Sequence, residues 1–123
     1  MPLKGKLSQT TADQKGNALE GSWGTIVPPS TPLDALRFSM EPQEIVSYAY
    51  RVVIRWKWKA GPPETITLIA GPDVVTITGH GLQRLMEALD ETSLKVVRQE
   101  GSMPNAPEHR PYVISVRIEE GGR

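Results

Sequence analysis

Apolar and polar positions alternate along most of this chain, and the alternation has period two. Leu36, Phe38 and Met40 interleave with Ala35, Arg37 and Ser39, which predicts a short strand. Glu41-Pro42-Gln43-Glu44 then reads as a turn, because proline fixes φ and cannot donate to a ladder. The longest alternating run is Ile45 to Lys59. One side carries Tyr48, Tyr50, Val52, Ile54, Trp56 and Trp58, and the other carries Ser47, Ala49, Arg51, Val53, Arg55, Lys57 and Lys59. No helix produces that spacing, so the run predicts one long extended ribbon with its rings inward and its cations toward water.

Gly61-Pro62-Pro63 ends the ribbon. Thr65–Ala70 and Asp73–Thr78 alternate again, and Gly71-Pro72-Asp73 between them is hairpin chemistry. At Gly79-His80-Gly81 the period changes. Leu82, Leu85, Met86 and Leu89 fall at i, i+3, i+4 and i+7, one stripe of an amphipathic helix, while Gln83, Arg84, Glu87, Asp90 and Glu91 take its wet side. Thr78 or Gly79 is the expected cap. Leu94–Gln99 and Tyr112–Ile118 return to period two, separated by the polar, proline-rich stretch 100–111.

The order β-β-β-β-α-β-β, with short turns, predicts an α+β fold: a twisted antiparallel sheet of five or six strands with one amphipathic helix packed on it. The expected core is Tyr50, Val52, Ile54, Trp56, Ile66, Leu68, Ile77, Leu82, Leu85, Leu89, Val96, Ile114 and Val116. Residues 1–33 read as a flexible N-terminal arm, 34–120 as a single domain and 121–123 as a flexible tail. The first 22 residues hold only Leu3, Leu7 and Leu19 as large apolar side chains, too little to offset ordering entropy. Trp23 interrupts that composition. It either docks on the domain or lets the arm reach a partner.

Composition then narrows the chemistry. The 123 residues contain no cysteine, which removes disulfides, thiol nucleophiles, iron–sulfur clusters and cysteine-bearing zinc sites. No apolar run approaches the roughly 18 residues of a membrane helix, and Met1–Thr10 holds no secretory apolar stretch. The expectation is a cytoplasmic protein without membrane contact. Lys plus Arg and Asp plus Glu total 14 each, so the net charge is zero, unlike a general polyanion binder.

Four groups of residues could carry function. Arg51, Arg55, Lys57 and Lys59 form a basic stripe on one strand face. Same-face neighbours on a strand lie about 6.6 Å apart, close to the phosphate spacing of an extended nucleic acid. The same cations equally serve a solvated edge that resists aggregation. Gly79, His80 and Gly81 precede a helix, where backbone N–H groups can hold an anion. Arg84 stands where a dinucleotide fingerprint needs a third glycine, so a tight strand-to-helix turn explains the pattern as well. His80 and His109 show no metal-ligand spacing. No serine lies in a nucleophile elbow, and the carboxylates of Glu87, Asp90 and Glu91 lie on the wet side of the helix. The sequence therefore predicts no catalytic residues, metal or cofactor. Its first functional reading is a non-enzymatic protein-binding or assembly module, pairing with a protein partner or a second copy through a strand edge. The alternatives are nucleic-acid binding through the basic stripe, and a small enzyme with an anion site near His80.

Overall fold

The hairpin of residues 64–80 shows how local chemistry builds this molecule. Thr65–Ile66–Thr67–Leu68 and Val75–Thr76–Ile77–Thr78 are β-branched at nearly every position and alternate buried with half-buried side chains. Ala70 pairs with Asp73 across Gly71-Pro72, and Gly71 has φ +59°, as a mirror-image hairpin turn requires at its first central position.

The computed structural model describes residues 18–41, 43–102 and 110–121. Their elements are β1 (Leu19–Gly21), β2 (Gly24–Ile26), β3 (Ala35–Met40), β4 (Glu44–Ala49), a 3-10 turn (Tyr50–Val52), β5 (Val53–Lys59), β6 (Glu64–Ala70), β7 (Asp73–His80), α1 (Gln83–Asp90), β8 (Leu94–Arg98) and β9 (Tyr112–Glu119). The fold is mostly β with one short helix. The strands form two sheets rather than the single sheet of five or six that the sequence suggests. One is five-stranded and mixed, in the order β1-β2-β8-β3-β4; the other is four-stranded and antiparallel, in the order β5-β6-β7-β9.

The sheets meet at two places. Beyond β8, the N–H groups of Glu100 and Gly101 donate to the carbonyls of Val113 and Ile114 on β9. At the other place the chain itself passes between the sheets. The Ile45–Lys59 run is not one ribbon: the 3-10 turn breaks it, leaving β4 in the mixed sheet and β5 in the antiparallel one. The Tyr50 N–H donates to the Asp34 carbonyl, its hydroxyl donates to the Leu94 carbonyl at 2.6 Å, and Val52 O accepts from Gly71. Burial pushes the Tyr50 phenol up to about 12. Two extended segments flank the turn, so period-two alternation runs across the corner without revealing it.

One hydrophobic cluster draws on both sheets and the helix, with Leu36, Phe38, Ile66, Leu68, Val75, Ile77, Leu82, Leu85, Leu89, Leu94, Val97 and Val113 fully enclosed. Several expected core positions differ. Ile54 is the extra residue of a bulge between Val53 and Arg55, and is 67% exposed while Val53 is buried. A second bulge between Thr78 and Gly79 shifts β9, so Val113 is buried and Ile114 only partly so. β8 lies between β2 and β3, and a bulge against β2 leaves Lys95 as the extra residue, so alternation breaks: Lys95 is exposed while Val96 and Val97 are both buried. Tyr50, Val52 and Trp56 are half-buried at the margin of the cluster.

The arm expected over residues 1–33 does not extend that far. β1 and β2 pair with each other, and β2 pairs with β8. Trp23 is 4% exposed. Gly24, at φ +145°, brings the chain so close to β8 that a Cβ there would lie 2.0 Å from the Val96 carbonyl oxygen. Residues 1–17 of the arm lie outside the described residues, as do 122–123 of the expected tail. Among the described residues no helix is long and apolar enough to cross a membrane.

Candidate interaction surfaces

The glycine turn before α1 already holds an anion, and it is a side chain of this protein. The N–H groups of Gly81 and Leu82 donate to the Glu64 carboxylate at 2.9 and 2.8 Å, and Trp58 Nε1 donates to it at 3.0 Å. Burial pushes the Glu64 carboxyl up, but these three hydrogen bonds, with the nearby His80, hold it below the usual carboxylate range. The N-cap position is Leu82, not Thr78 or Gly79, and Glu64 accepts from its N–H. Gly79 is buried in β7, where a Cβ would lie 1.9 Å from the Tyr112 carbonyl oxygen, and Gly81 has φ +65°. The Gly81 N–H is thus engaged, and Gly79 and His80 lie in β7 with only Gly81 in the turn.

Glu100 performs a similar task on the far side of Arg110, whose backbone lies against Gly81. It accepts from Arg110 Nη2 at 2.9 Å, from the Ser22 hydroxyl at 2.5 Å and from the Val113 N–H at 2.9 Å. Here too burial pushes the carboxyl up and the hydrogen bonds to Arg110, Ser22 and Val113 pull it below its ordinary value. A cleft of about 520 Å³ opens nearby against Trp23, Glu20, Arg84 and Arg110. Trp23 contributes a wall to this cleft from a buried position, so it is not a free side chain on a mobile arm. Among the described residues no three or more His, Asp or Glu converge as metal ligands, and His109 lies outside them.

Two surfaces remain. The first is the set of four terminal strands, which among the described residues have no strand on their outer side. Three of these edges are guarded. β1 is three residues long. β5 carries the Ile54 bulge and the cations Arg55, Lys57 and Lys59. β9 is bonded through its first half by Glu100, Gly101 and the Gln99 side chain, and its second half carries Arg117 and Glu119. Cations, bulges and brevity are the usual means by which edges avoid pairing with other chains. β4 has none of them. Its six residues, Glu44 to Ala49, pair in unbroken register with β3, contain no lysine, arginine or proline, and include Ile45 at 62% exposure.

The second surface is the outer face of the four-stranded sheet. Register places three rows across it. Lys57, Thr67, Thr76 and Arg117 are successive cross-strand partners; Lys59, Thr65, Thr78 and Ser115 form the next row; Arg55, Ile69, Val74 and Glu119 form the third. Arg55, Lys57, Lys59 and Arg117 are exposed, and the four threonines are half-buried. Arg55, Lys57 and Lys59 therefore stand together as the alternation predicts. Arg51 is exposed on the 3-10 turn and belongs to none of the rows. Trp56 and Trp58 lie on the other face, where Trp56 Nε1 donates to Asp90 of α1 at 2.8 Å. Sequence reasoning missed the threonines and Arg117. The two Thr-Ile-Thr triplets are visible in the sequence; the register that aligns them with Lys57 and Arg117 is not. No family model matches the chain, and neither a curated protein nor a solved structure matches it.

Proposed function

We propose that this protein is a non-enzymatic assembly module that pairs with a second copy of itself through β4. The unguarded β4 edge, beside three guarded ones, carries this reading. An edge strand rich in β-branched and aromatic residues offers a row of backbone donors and acceptors to another strand. Two copies related by a two-fold axis normal to the sheet pair β4 with β4 antiparallel, keeping like faces together. With Val46 or Ser47 at the axis, Ile45 falls opposite Ser47 or Ala49 of the second copy, small residues that leave room for it. Glu44 does not meet another Glu44 in either register, so no like charges oppose the pairing. Buried Trp23 and the occupied glycine turn leave the mobile-arm and anion-site readings without support of this kind.

Ile45→Lys is the test, because it installs the guard that β5 already has. Sedimentation equilibrium of the full chain should show concentration-dependent dimers for the wild type and monomers for the variant. Ile45 is largely exposed, so stability should change by no more than about 0.5 kcal/mol. Hydrogen exchange of the wild type should slow at Ile45–Ala49 as concentration rises. A wild type that stays monomeric at every soluble concentration, or a dimer indifferent to Ile45→Lys, would overturn the proposal.

A further inference from the structure

We propose that the outer face of the four-stranded sheet binds the backbone of double-stranded RNA, with Lys57, Lys59 and Arg117 on phosphates and the threonine hydroxyls over the groove between them. The observation is the pair of rows Lys57–Thr67–Thr76–Arg117 and Lys59–Thr65–Thr78–Ser115. Three inter-strand steps separate the two rims, about 14 Å from Lys57 to Arg117. Between the rims lie only short hydroxyl side chains, each able to donate and accept. Net charge is zero, so any field is local. Cations line the Lys57–Lys59 end of the face and Glu119 is the acid at its opposite end, whereas Asp73 and Glu120 lie on the other face beside Tyr48.

The shape of the face selects among polyanions. Readers of single strands stack bases on aromatic rings, and among the described residues this face exposes none: Trp56 and Trp58 point the other way, and Tyr112, opposite His80, is buried. A flat hydroxyl surface cannot enter the minor groove of B-DNA, about 6 Å wide, nor can threonines reach the floor of its major groove, about 8.5 Å deep. The minor groove of A-form RNA is wide and shallow and displays 2′-hydroxyls beside its phosphates, which suits hydroxyls flanked by longer cationic side chains. An acidic peptide would pair along the β5 edge with Arg55, Lys57 and Lys59 and would leave Arg117 and the threonines unused.

The test is fluorescence anisotropy of the full chain with a labelled RNA duplex, the same sequence as DNA duplex and as single-stranded RNA, and polyglutamate as competitor. Duplex RNA should bind most tightly at low salt, with a log–log salt slope of about −3 for the three phosphate contacts. Lys57→Gln and Arg117→Gln should each reduce that slope by about 1, and Thr67→Val with Thr76→Val should weaken RNA more than DNA. Lys95→Gln, on β8 of the other sheet, should change nothing, and circular dichroism should show every variant folded. No binding at low salt, a preference for single strands or DNA, equal competition by polyglutamate, or indifference to both Lys57→Gln and Arg117→Gln would overturn the inference. Ile45→Lys leaves this face untouched, so failure here and failure of the β4 dimer are separate results.

Discussion

Glu64 is the residue on which the most local structure converges. Its one carboxylate receives the indole N–H of Trp58 on β5 and the N–H groups of Gly81 and Leu82 just before α1, so it fastens an edge strand to the approach to a helix. Helix N-termini leave donors unsatisfied, and a carboxylate there also complements the helix dipole. A carboxyl held below its ordinary value in the folded state adds stability above the unfolded-state pKa, and that stability is lost as pH falls through the folded value. Glu64→Gln keeps one acceptor but turns an amide N–H toward the same donors. It should cost about 1–3 kcal/mol at neutral pH in urea unfolding. Wild type and variant should converge in acid, below the ordinary carboxylate range near 4.5, once Glu64 is protonated in both states. A gap that persists unchanged in acid would show that Glu64 acts through packing instead.

Among the elements, those with the cleanest periods were the most legible. β6, β7 and α1 appear where alternation and the i, i+3, i+4, i+7 stripe place them, because each buries one face only. β8 breaks the rule because the bulge at Lys95 shifts its alternation, so Val96 and Val97 are both buried while Lys95 is exposed. The β4–β5 corner escaped notice because the 3-10 turn interrupts hydrogen bonding without interrupting the polar–apolar rhythm. At Trp23 the sequence leaves docking and reaching open, because its segment is poor in other large apolar residues; the structure docks it, at 4% exposure. Of the candidate surfaces, the β5 cations were readable from spacing alone. The hydroxyl rows and the exposed β4 edge depend on which strands are neighbours, which pairing over long sequence separations decides. Trp23→Ala should cost about 3–5 kcal/mol, the range for a large aromatic removed from a core. A loss below 1 kcal/mol in thermal or urea unfolding would show that β1 and β2 are incidental to the domain.

At the scale of the whole molecule the two sheets differ in how far apart their partners lie in the chain. β5, β6 and β7 follow one another as a meander, whereas β8 must insert between β2 and β3 from the other side of the sequence. Loop closure over long separations is slow and local hairpins are fast. The transition state for folding should therefore contain the β6–β7 hairpin and lack the β2–β8–β3 contacts. In stopped-flow measurements, Ile66→Val and Ile77→Val should slow folding, and Val97→Ala should mainly speed unfolding. Equal effects on both rates at all three positions would contradict that order.

The central place of β8 also matters on the ribosome. Translation delivers β1 to β4 long before residues 94–98 leave the exit tunnel, so β3 must wait beside β4 with its other flank bare. Throughout that interval the nascent hairpin offers two open sides, one of which the finished molecule closes and one of which it keeps.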